Sequence, residues 1–319
     1  DVDPISGRKL INHYEIIDEL GRGTHGKVKL GRDLQSPEGR YVAIKIVERY
    51  SKRRKLGKLG TTEDKVKKEV AILKQVRHPH VTALLEVIDD PSRKKVYIVL
   101  EWVERGQIEW RLEYVPTMSH QQTRVAFRDT LLGLQYLHYQ GIIHRDIKPP
   151  NLLSTKEGRV KISDFGVSYL GRPMGEGEVS EGVSEHETQD LDDGAKELAK
   201  TVGTPAFYAP ELCITEVVED APPITKAIDV WALGVTLFCM LFARTPFVDS
   251  EYVVMRQIAE EEIYIPRKRL QPISDDLYDL LKRMLVKDPR KRITLEEVRH
   301  HPWVVADIHD KVKWLEETD

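Results

Sequence analysis

Asp146 and Asn151 stand five residues apart in the run His144-Arg145-Asp146-Ile147-Lys148-Pro149-Pro150-Asn151. A carboxylate can orient a hydroxyl and accept its proton. An amide oxygen nearby can hold a hard cation and leave that carboxylate free. Lys148, between them, can neutralise a phosphoryl group in transit. A second acidic candidate follows in Asp164-Phe165-Gly166, after the short run Arg159 to Ser163 and a turn at Gly158. Alone that tripeptide is common by chance. Behind Asp146 and Asn151 at this spacing it is no chance match.

Phosphate chemistry also has candidates near the start of the chain. Gly21-Arg-Gly23-Thr-His-Gly26-Lys-Val28 is a glycine-rich turn. Glycines let backbone N–H groups approach phosphate oxygens without a Cβ in the way. The spacing of Gly21 and Gly26-Lys27 nearly matches a P-loop, but Val28 stands where a P-loop needs Ser or Thr for magnesium. A P-loop also opens into a helix, whereas Val28 to Arg32 reads as a strand. By itself the segment is equally an ordinary hairpin turn. Val42-Ala43-Ile44-Lys45 then places a lysine on an apolar strand. Such a cation is costly unless a charge pairs with it. Phosphate oxygens and Glu69, on the following helix, are suitable partners. Taken alone, Glu69 is equally a solvated helix residue.

Two kinds of element must position these groups. From Tyr14 to Trp102 the pattern is strand-like, as in Tyr41 to Val47 and Val96 to Leu100. One helical stretch interrupts it, Lys65 to Val76, with Val66, Val70, Ile72 and Leu73 at helical spacing. Beyond Trp102 helical patterns dominate: Gln121 to Gln140, stopped by Gly141, then Ala227–Phe242, Tyr252–Ala259, Asp275–Leu285 and Leu295–His300. The implied architecture is a small sheet-rich lobe followed by a larger helical one, without internal repeats.

Composition narrows the function classes. Of 319 residues 40% are apolar and 32% charged, yet the formal charge is only −3. Global charge therefore favours neither nucleic acid nor a membrane surface as partner. Cys213 and Cys239 are the only cysteines, with no C-x-x-C, which suits a reducing compartment: the cytoplasm, or the nucleus. The apolar run Val230 to Ala243 is short for a bilayer and reads as a buried core helix. The chain begins at Asp1 without a leader pattern and reads as cut from a longer protein. Two segments stand out. Arg49 to Lys58 is basic: a solvated face, a docking patch for an acidic partner, or a nuclear signal. Met174 to Ala195 is acidic, without Lys or Arg, and reads as a disordered loop. The sharper reading of that loop is a contact with the basic run, or with Lys200 and Arg145, tuning access to the cleft.

Taken in order, these motifs resemble the eukaryotic protein kinases from residue 10 to residue 303. The set continues with Ala209-Pro210-Glu211, Asp229-Val-Trp-Ala-Leu-Gly234, Arg292 and His301-Pro302-Trp303. The resemblance implies an α+β two-lobed fold, with a β-rich N-lobe holding one main helix (10–103) and a mostly helical C-lobe (104–303). Residues 164–211 would be an activation segment carrying the acidic insert 174–195, and 304–319 a C-terminal extension. It implies ATP with two magnesium ions. Leu20, Val28, Ala43 and Leu153 would hold the adenine, with Leu100 behind it and backbone bonds from Glu101 and Val103. Gly21, Gly23 and Gly26 would cover the phosphates, and Lys45, paired with Glu69, would reach them. Asn151 and Asp164 would hold the metal, with Asp146 and Lys148 catalytic. Lys148 in this loop resembles serine/threonine rather than tyrosine kinases. Arg145, Lys200, Thr201, Thr204, Glu211, Asp229 and Arg292 would be structural or regulatory. Arg292 would pair with Glu211, and Asp229 would brace the catalytic loop.

Within that family the chain resembles the calcium/calmodulin-dependent protein kinase kinases, including fungal kinases that activate AMP-activated-type kinases. The stretches that carry this are Glu69 to Lys74, Glu86 to Pro91, Tyr136 to Tyr139, Ile142 to Pro149 and Thr201 to Phe207. The expected substrate is then an activation-loop threonine of another kinase. Arginine-directed kinases carry carboxylates at positions that correspond here to Gln107, Pro150 and Cys239, and none of these can pair with a guanidinium. A calmodulin-binding segment, where the family has one, follows the catalytic domain. Residues 304–319 are either its start or a capping helix. A kinase for other protein substrates and a pseudokinase scaffold are the alternatives. One departure is sharp: the usual phosphorylation position is Lys200, three before Gly203. It is expected to repel Arg145, to leave the enzyme active without phosphate there, and to leave Thr201 as the threonine bonding near Asp146.

Overall fold

The computed structural model describes residues 1–23, 26–49, 62–171, 196–214, 219–268 and 271–319. The N-lobe is one antiparallel sheet of six strands: β1 (Leu10–Ile11), β2 (Tyr14–Gly23), β3 (Gly26–Asp33), β4 (Tyr41–Glu48), β5 (Leu84–Asp89) and β6 (Lys95–Glu101). Their spatial order is β1-β2-β3-β4-β6-β5. Alternation along β4 sends Val42 and Ile44 to one face, where they pack with Tyr14 and Val99. Ala43, Lys45 and Val47 take the opposite face. Val47, Val96 and Ile98 meet Ile72 and Leu73 of helix α1 (Thr62–Gln75) in the main core, which continues into the C-lobe. That alternation turns Lys45 inward. The glycine-rich turn joins two strands and opens no helix, which removes the P-loop reading.

The C-lobe begins with a short hairpin, β7 (Arg111–Leu112) and β8 (Val115–Pro116), which no sequence pattern announced. Helix α2 (His120–Tyr139) starts at a capping box. Ser119 accepts from the Gln122 N–H at 3.1 Å, and the Ser119 N–H donates to the Gln122 side chain at 2.9 Å. Gly141, at φ 76°, follows its end. Short paired strands carry the loops of interest: β9 (Ile142–Ile143) with β12 (Tyr169–Leu170), and β10 (Leu152–Ser154) with β11 (Val160–Ile162). Then come α3 (Ala227–Phe242), α4 (Glu251–Glu260), α5 (Asp275–Met284), α6 (Leu295–His300) and α7 (Lys311–Glu317). Every residue of α3 from Ile228 to Phe242 is buried, as a helix apolar on all sides requires. Among the described residues no helix is long and apolar enough to cross a membrane.

Three sequence features look different in the fold. Arg49 is not part of a solvated face: it is buried, ion-paired with Asp89, and donates to the carbonyls of Arg93 at 3.1 Å and Asp90 at 3.0 Å. It stitches β4 to the β5–β6 turn. The rest of the basic run, from Lys52 to Lys58, and the acidic segment Met174 to Ala195 lie outside the described residues. Residues 311–317 form a helix that caps the C-lobe. Arg299 donates to the Leu315 carbonyl at 2.7 Å, and the Arg128 guanidinium lies 5.8 Å from the Trp314 ring centroid.

Candidate active site

A single buried carboxylate positions the loop of Asp146. Asp229, in the first turn of α3, accepts the backbone N–H of His144 at 2.9 Å on Oδ2 and that of Arg145 at 3.0 Å on Oδ1. His138 Nε2 lies 2.8 Å from the same Oδ2. Burial alone would raise the Asp229 pKa, but the bonds from His138 and the His144 backbone hold it below the ordinary carboxylate value. Arg145 sits at φ 67°, a left-handed conformation costly for a side-chain-bearing residue, and these bonds over-determine it.

Four side chains then converge. Thr204 Oγ1 donates to Asp146 Oδ1 at 2.9 Å, and Lys148 Nζ donates to Thr204 Oγ1 at 2.6 Å. Lys148 Nζ lies 3.5 Å from Asp146 Oδ2. Asn151 spends its NH2 group on the Asp146 carbonyl at 2.8 Å and Oδ2 at 3.2 Å. What Asn151 keeps for a cation is its amide oxygen, the hard donor such an ion prefers. The Asn151 carbonyl accepts the Ser163 N–H at 2.9 Å, linking this loop to the strand before Asp164. Phe165, buried, meets His144 edge-on at 5.3 Å.

Above them, Lys45 Nζ donates to Glu69 Oε1 at 2.6 Å and stands 3.6 Å from Asp164 Oδ1. Burial works against the ammonium, yet the two carboxylates outweigh it and raise the Lys45 pKa. The magnitudes agree: at an effective dielectric of about 20 one opposite charge at ~4 Å is worth roughly 4 kcal/mol. Lys45 is therefore a fixed cation. Over it, Val28 of β3 pairs with Lys45, and Ala43 with Leu100 of β6. Leu20, Val28 and Ala43 come from the sheet, and Leu153 comes from β10 in the C-lobe. The Glu101 N–H is committed to the Ala83 carbonyl at 2.9 Å, so only the Glu101 carbonyl remains for an adenine. Lys161 holds the Glu101 carboxylate at 2.8 and 2.9 Å, stiffening the segment that leads to Val103.

The glycines of the turn are not equivalent. Gly26, at φ 135°, would put a Cβ 2.1 Å from the Ile46 carbonyl oxygen, so strand packing itself demands glycine. A Cβ on Gly21 would meet no atom of the described residues within 4 Å, so strand packing does not demand glycine there. Gly23 ends β2 opposite Gly26. Among the described residues no cluster of three or more His, Cys, Asp or Glu could cage a metal. Asn151 and Asp164 are instead a two-residue oxygen set, which fits a magnesium ion that completes its shell with phosphate and water. The residues fit ATP and a divalent cation.

Two expectations for the activation segment are corrected. Thr201 is exposed, and Thr204 is the threonine that bonds Asp146. Gly203 explains the difference. At φ 99° a Cβ there would sit 2.6 Å from the Arg145 carbonyl oxygen, so the chain passes so close that the next residue reaches Asp146. Lys200 does not face Arg145 unscreened, because Glu197 stands between them. Arg145 Nη2 lies 3.3 Å from Glu197 Oε1, and Lys200 pairs with Glu197 Oε2. The sequence reading missed Glu197, although its acidic type three residues before Lys200 was a usable signal. It also missed Ser168, whose hydroxyl donates to the His144 carbonyl at 3.0 Å. At the segment's far end Arg292 and Glu211 form a fully buried two-pronged pair at 2.8 and 2.9 Å.

A family model described as Protein kinase domain matches residues 14–304. The chain belongs to this family. Known relatives place this kinase domain on the serine/threonine branch. It is 53% identical over 320 residues to serine/threonine-protein kinase ssp1 of Schizosaccharomyces pombe, covering 99% of this chain and 46% of that protein. It is 42% identical over 343 residues to SNF1-activating kinase 1 of Saccharomyces cerevisiae, covering 96% of this chain and 29% of that protein. It is 37% identical over 318 residues to a calcium/calmodulin-dependent protein kinase kinase of Caenorhabditis elegans, covering 93% of this chain and 53% of that protein. The kinase domain thus spans about half or less of the length of these relatives.

Proposed function

We propose that this kinase domain transfers the γ-phosphoryl group of ATP to a serine or threonine hydroxyl, and that the hydroxyl belongs to the activation loop of another kinase. Asp146 orients the acceptor hydroxyl and takes its proton. Thr204 and Asn151 fix the carboxylate's rotamer, so proton acceptance needs no prior rearrangement. Lys148 lies on the same side and offsets charge on the moving phosphoryl group. Lys45, kept protonated by Glu69 and Asp164, anchors the phosphates that stay behind. A magnesium ion held by Asn151 and Asp164 would draw charge from the phosphate oxygens. The interlock of Thr204, Asp146, Lys148 and Asn151 carries the phosphotransfer reading.

The substrate reading rests on what faces the acceptor. Gln107 and Pro150 are exposed and uncharged, and Cys239 is sealed in the core. Burial pushes the Cys239 thiol well above its ordinary pKa, and nearby Arg111 only partly offsets this. Arg111 donates to the Ala243 carbonyl at 3.3 Å and stacks on Trp110 at 4.2 Å. Its positive charge occupies the neighbourhood where an arginine-directed kinase needs a negative one. Without a carboxylate at these three positions, recognition of the acceptor's folded surface is the better reading than recognition of an upstream arginine. The alternative is that other acidic residues, such as the run from Met174 to Ala195, compensate. The relatives' names, a SNF1-activating kinase and a kinase kinase, support a kinase as that surface. Radiolabel transfer from ATP should be compared between inactive kinase domains with intact activation loops and short peptides with or without upstream arginine. The kinase domains should be labelled on an activation-loop threonine, at least tenfold above any peptide, and the Asp146→Asn protein should label neither. Equal or better labelling of the arginine peptides would defeat the substrate reading.

A further inference from the structure

The Arg145 guanidinium is satisfied by groups of the protein itself. Its side chain is 5% exposed. Nε donates to the Val167 carbonyl at 2.7 Å, Nη1 to the Glu197 carbonyl at 2.9 Å, and Nη2 to Glu197 Oε1 at 3.3 Å. Burial pulls the Arg145 pKa down, with Glu197 as the leading opposing charge. A buried cation of this kind holds its place only with an anion beside it. Glu197 is that anion, and it is shared. Its second oxygen pairs with Lys200. Burial disfavours its ionised form, yet Lys200, Lys68 and Arg145 together keep its pKa below the ordinary value. Lys68 belongs to α1, next to Glu69, the partner of Lys45. One carboxylate therefore pairs with a cation of the Asp146 loop and with one of the activation segment, and the charge of Lys68 on α1 adds to their field.

We propose that Glu197 is a built-in positioning anion: it locks the activation segment onto Arg145 and holds Thr204 against Asp146, so that the domain is active without a phosphate on this segment. A phosphate in such a place would act by offering several acceptor oxygens to clustered cations. A carboxylate has two oxygens, and here each meets a different cation. Lys200 is then the second clamp of the lock. It removes a modifiable side chain and adds the charge that makes one carboxylate bridge two cations. The span from Glu197 to Gly203 is short, so fixing Glu197 fixes the approach of Gly203 to the Arg145 carbonyl, and with it Thr204. Lys200 is 47% exposed and Glu197 25%, so this lock stays open to screening by salt, unlike the sealed pair of Arg292 and Glu211.

The inference needs phosphotransfer, not the kinase-directed choice of substrate, so any acceptor that the wild type labels serves. The protein is treated with phosphatase and shown by mass to carry no phosphate. Then kcat and the KM for ATP are measured for wild type, Glu197→Gln, Glu197→Asp, Arg145→Met and the Glu197→Gln/Arg145→Met double variant. Wild type and Thr201→Ala should turn over at full rate without phosphate. Glu197→Gln should lose roughly tenfold or more in kcat, with the KM for ATP within about twofold of wild type. Glu197→Asp should recover most of that loss, and the double variant should be no worse than Arg145→Met alone. A wild-type kcat in Glu197→Gln, additive losses in the double variant, or a dephosphorylated wild type that regains activity only on phosphorylation would each overturn it. Should Glu197→Gln not fold, Glu197→Asp is read with salt. A kcat lost at lower salt than in wild type supports the lock, and identical salt profiles overturn it. A wild type that labels no acceptor at all would defeat the proposed function instead.

Discussion

At the scale of single residues, Asp229 shows how the site is braced. It carries no chemistry, yet it fixes two backbone N–H groups of the catalytic loop and faces His138, all from full burial. Replacing one member of a buried charged set leaves its partners unsatisfied, so Asp229→Asn should cost about 3 kcal/mol of stability. The sign with pH follows from its depressed pKa. The unfolded chain binds the proton first, so the contribution is complete above the ordinary value of 3.8 and is lost as pH falls through the lower folded value. Denaturant melts of wild type and variant should differ by a constant amount from neutral pH down to about pH 5, and converge below it. A difference unchanged at pH 3 would show that Asp229 does not act as a charge. Residue types were legible at this scale: Lys45, Glu69, Asp146, Asn151 and Asp164 were named from pattern and stand together. Glu197 was not, because its importance comes from what lies across from it rather than from its neighbours in sequence.

Among the elements, the helices were the most legible. Ala227–Phe242 was read with its observed bounds, and Glu251–Glu260 and Asp275–Met284 to within one residue at an end. Apolar periodicity and caps such as Ser274 and Thr294, which accept from Leu277 and Glu297 N–H groups, are local signals. The hairpin Arg111–Pro116 was not legible, since two-residue strands carry no periodicity. The activation segment is decided by close approach. Gly203→Ala would force a Cβ against the Arg145 carbonyl in a φ region that side chains rarely adopt. Its kcat should fall about tenfold or more while nucleotide binding, read by thermal shift with an ATP analogue, stays near wild type. Weakened nucleotide binding with unaltered kcat would contradict this placement of Thr204.

For the whole molecule, the pair of Glu211 and Arg292 ties the end of the activation segment to the distal helices. Neither side chain is exposed, and Arg292 also donates to the carbonyls of Ala227 at 2.8 Å, Val286 at 2.9 Å and Lys287 at 3.1 Å. Arg292→Ala should cost about 3 kcal/mol or more, lowering Tm by roughly 6 °C or more in calorimetry. A shift under about 2 °C would mean that the pair is not a tertiary tie. The pairing was readable only through the family resemblance, because 81 positions separate its members. By itself the sequence yielded the two-lobed class, the order of the elements and the candidate residues for the proposed phosphoryl transfer. These follow from periodicity, a glycine stop, residue chemistry and the ordered motifs that resemble the kinase family, all read over short stretches of chain. Only the tertiary structure decided that Thr204 rather than Thr201 meets Asp146, that Arg49 is a buried stitch, and that Glu197 separates Arg145 from Lys200. Each is a matter of a few ångströms between segments far apart in sequence, set by how glycines and buried charges let the segments approach.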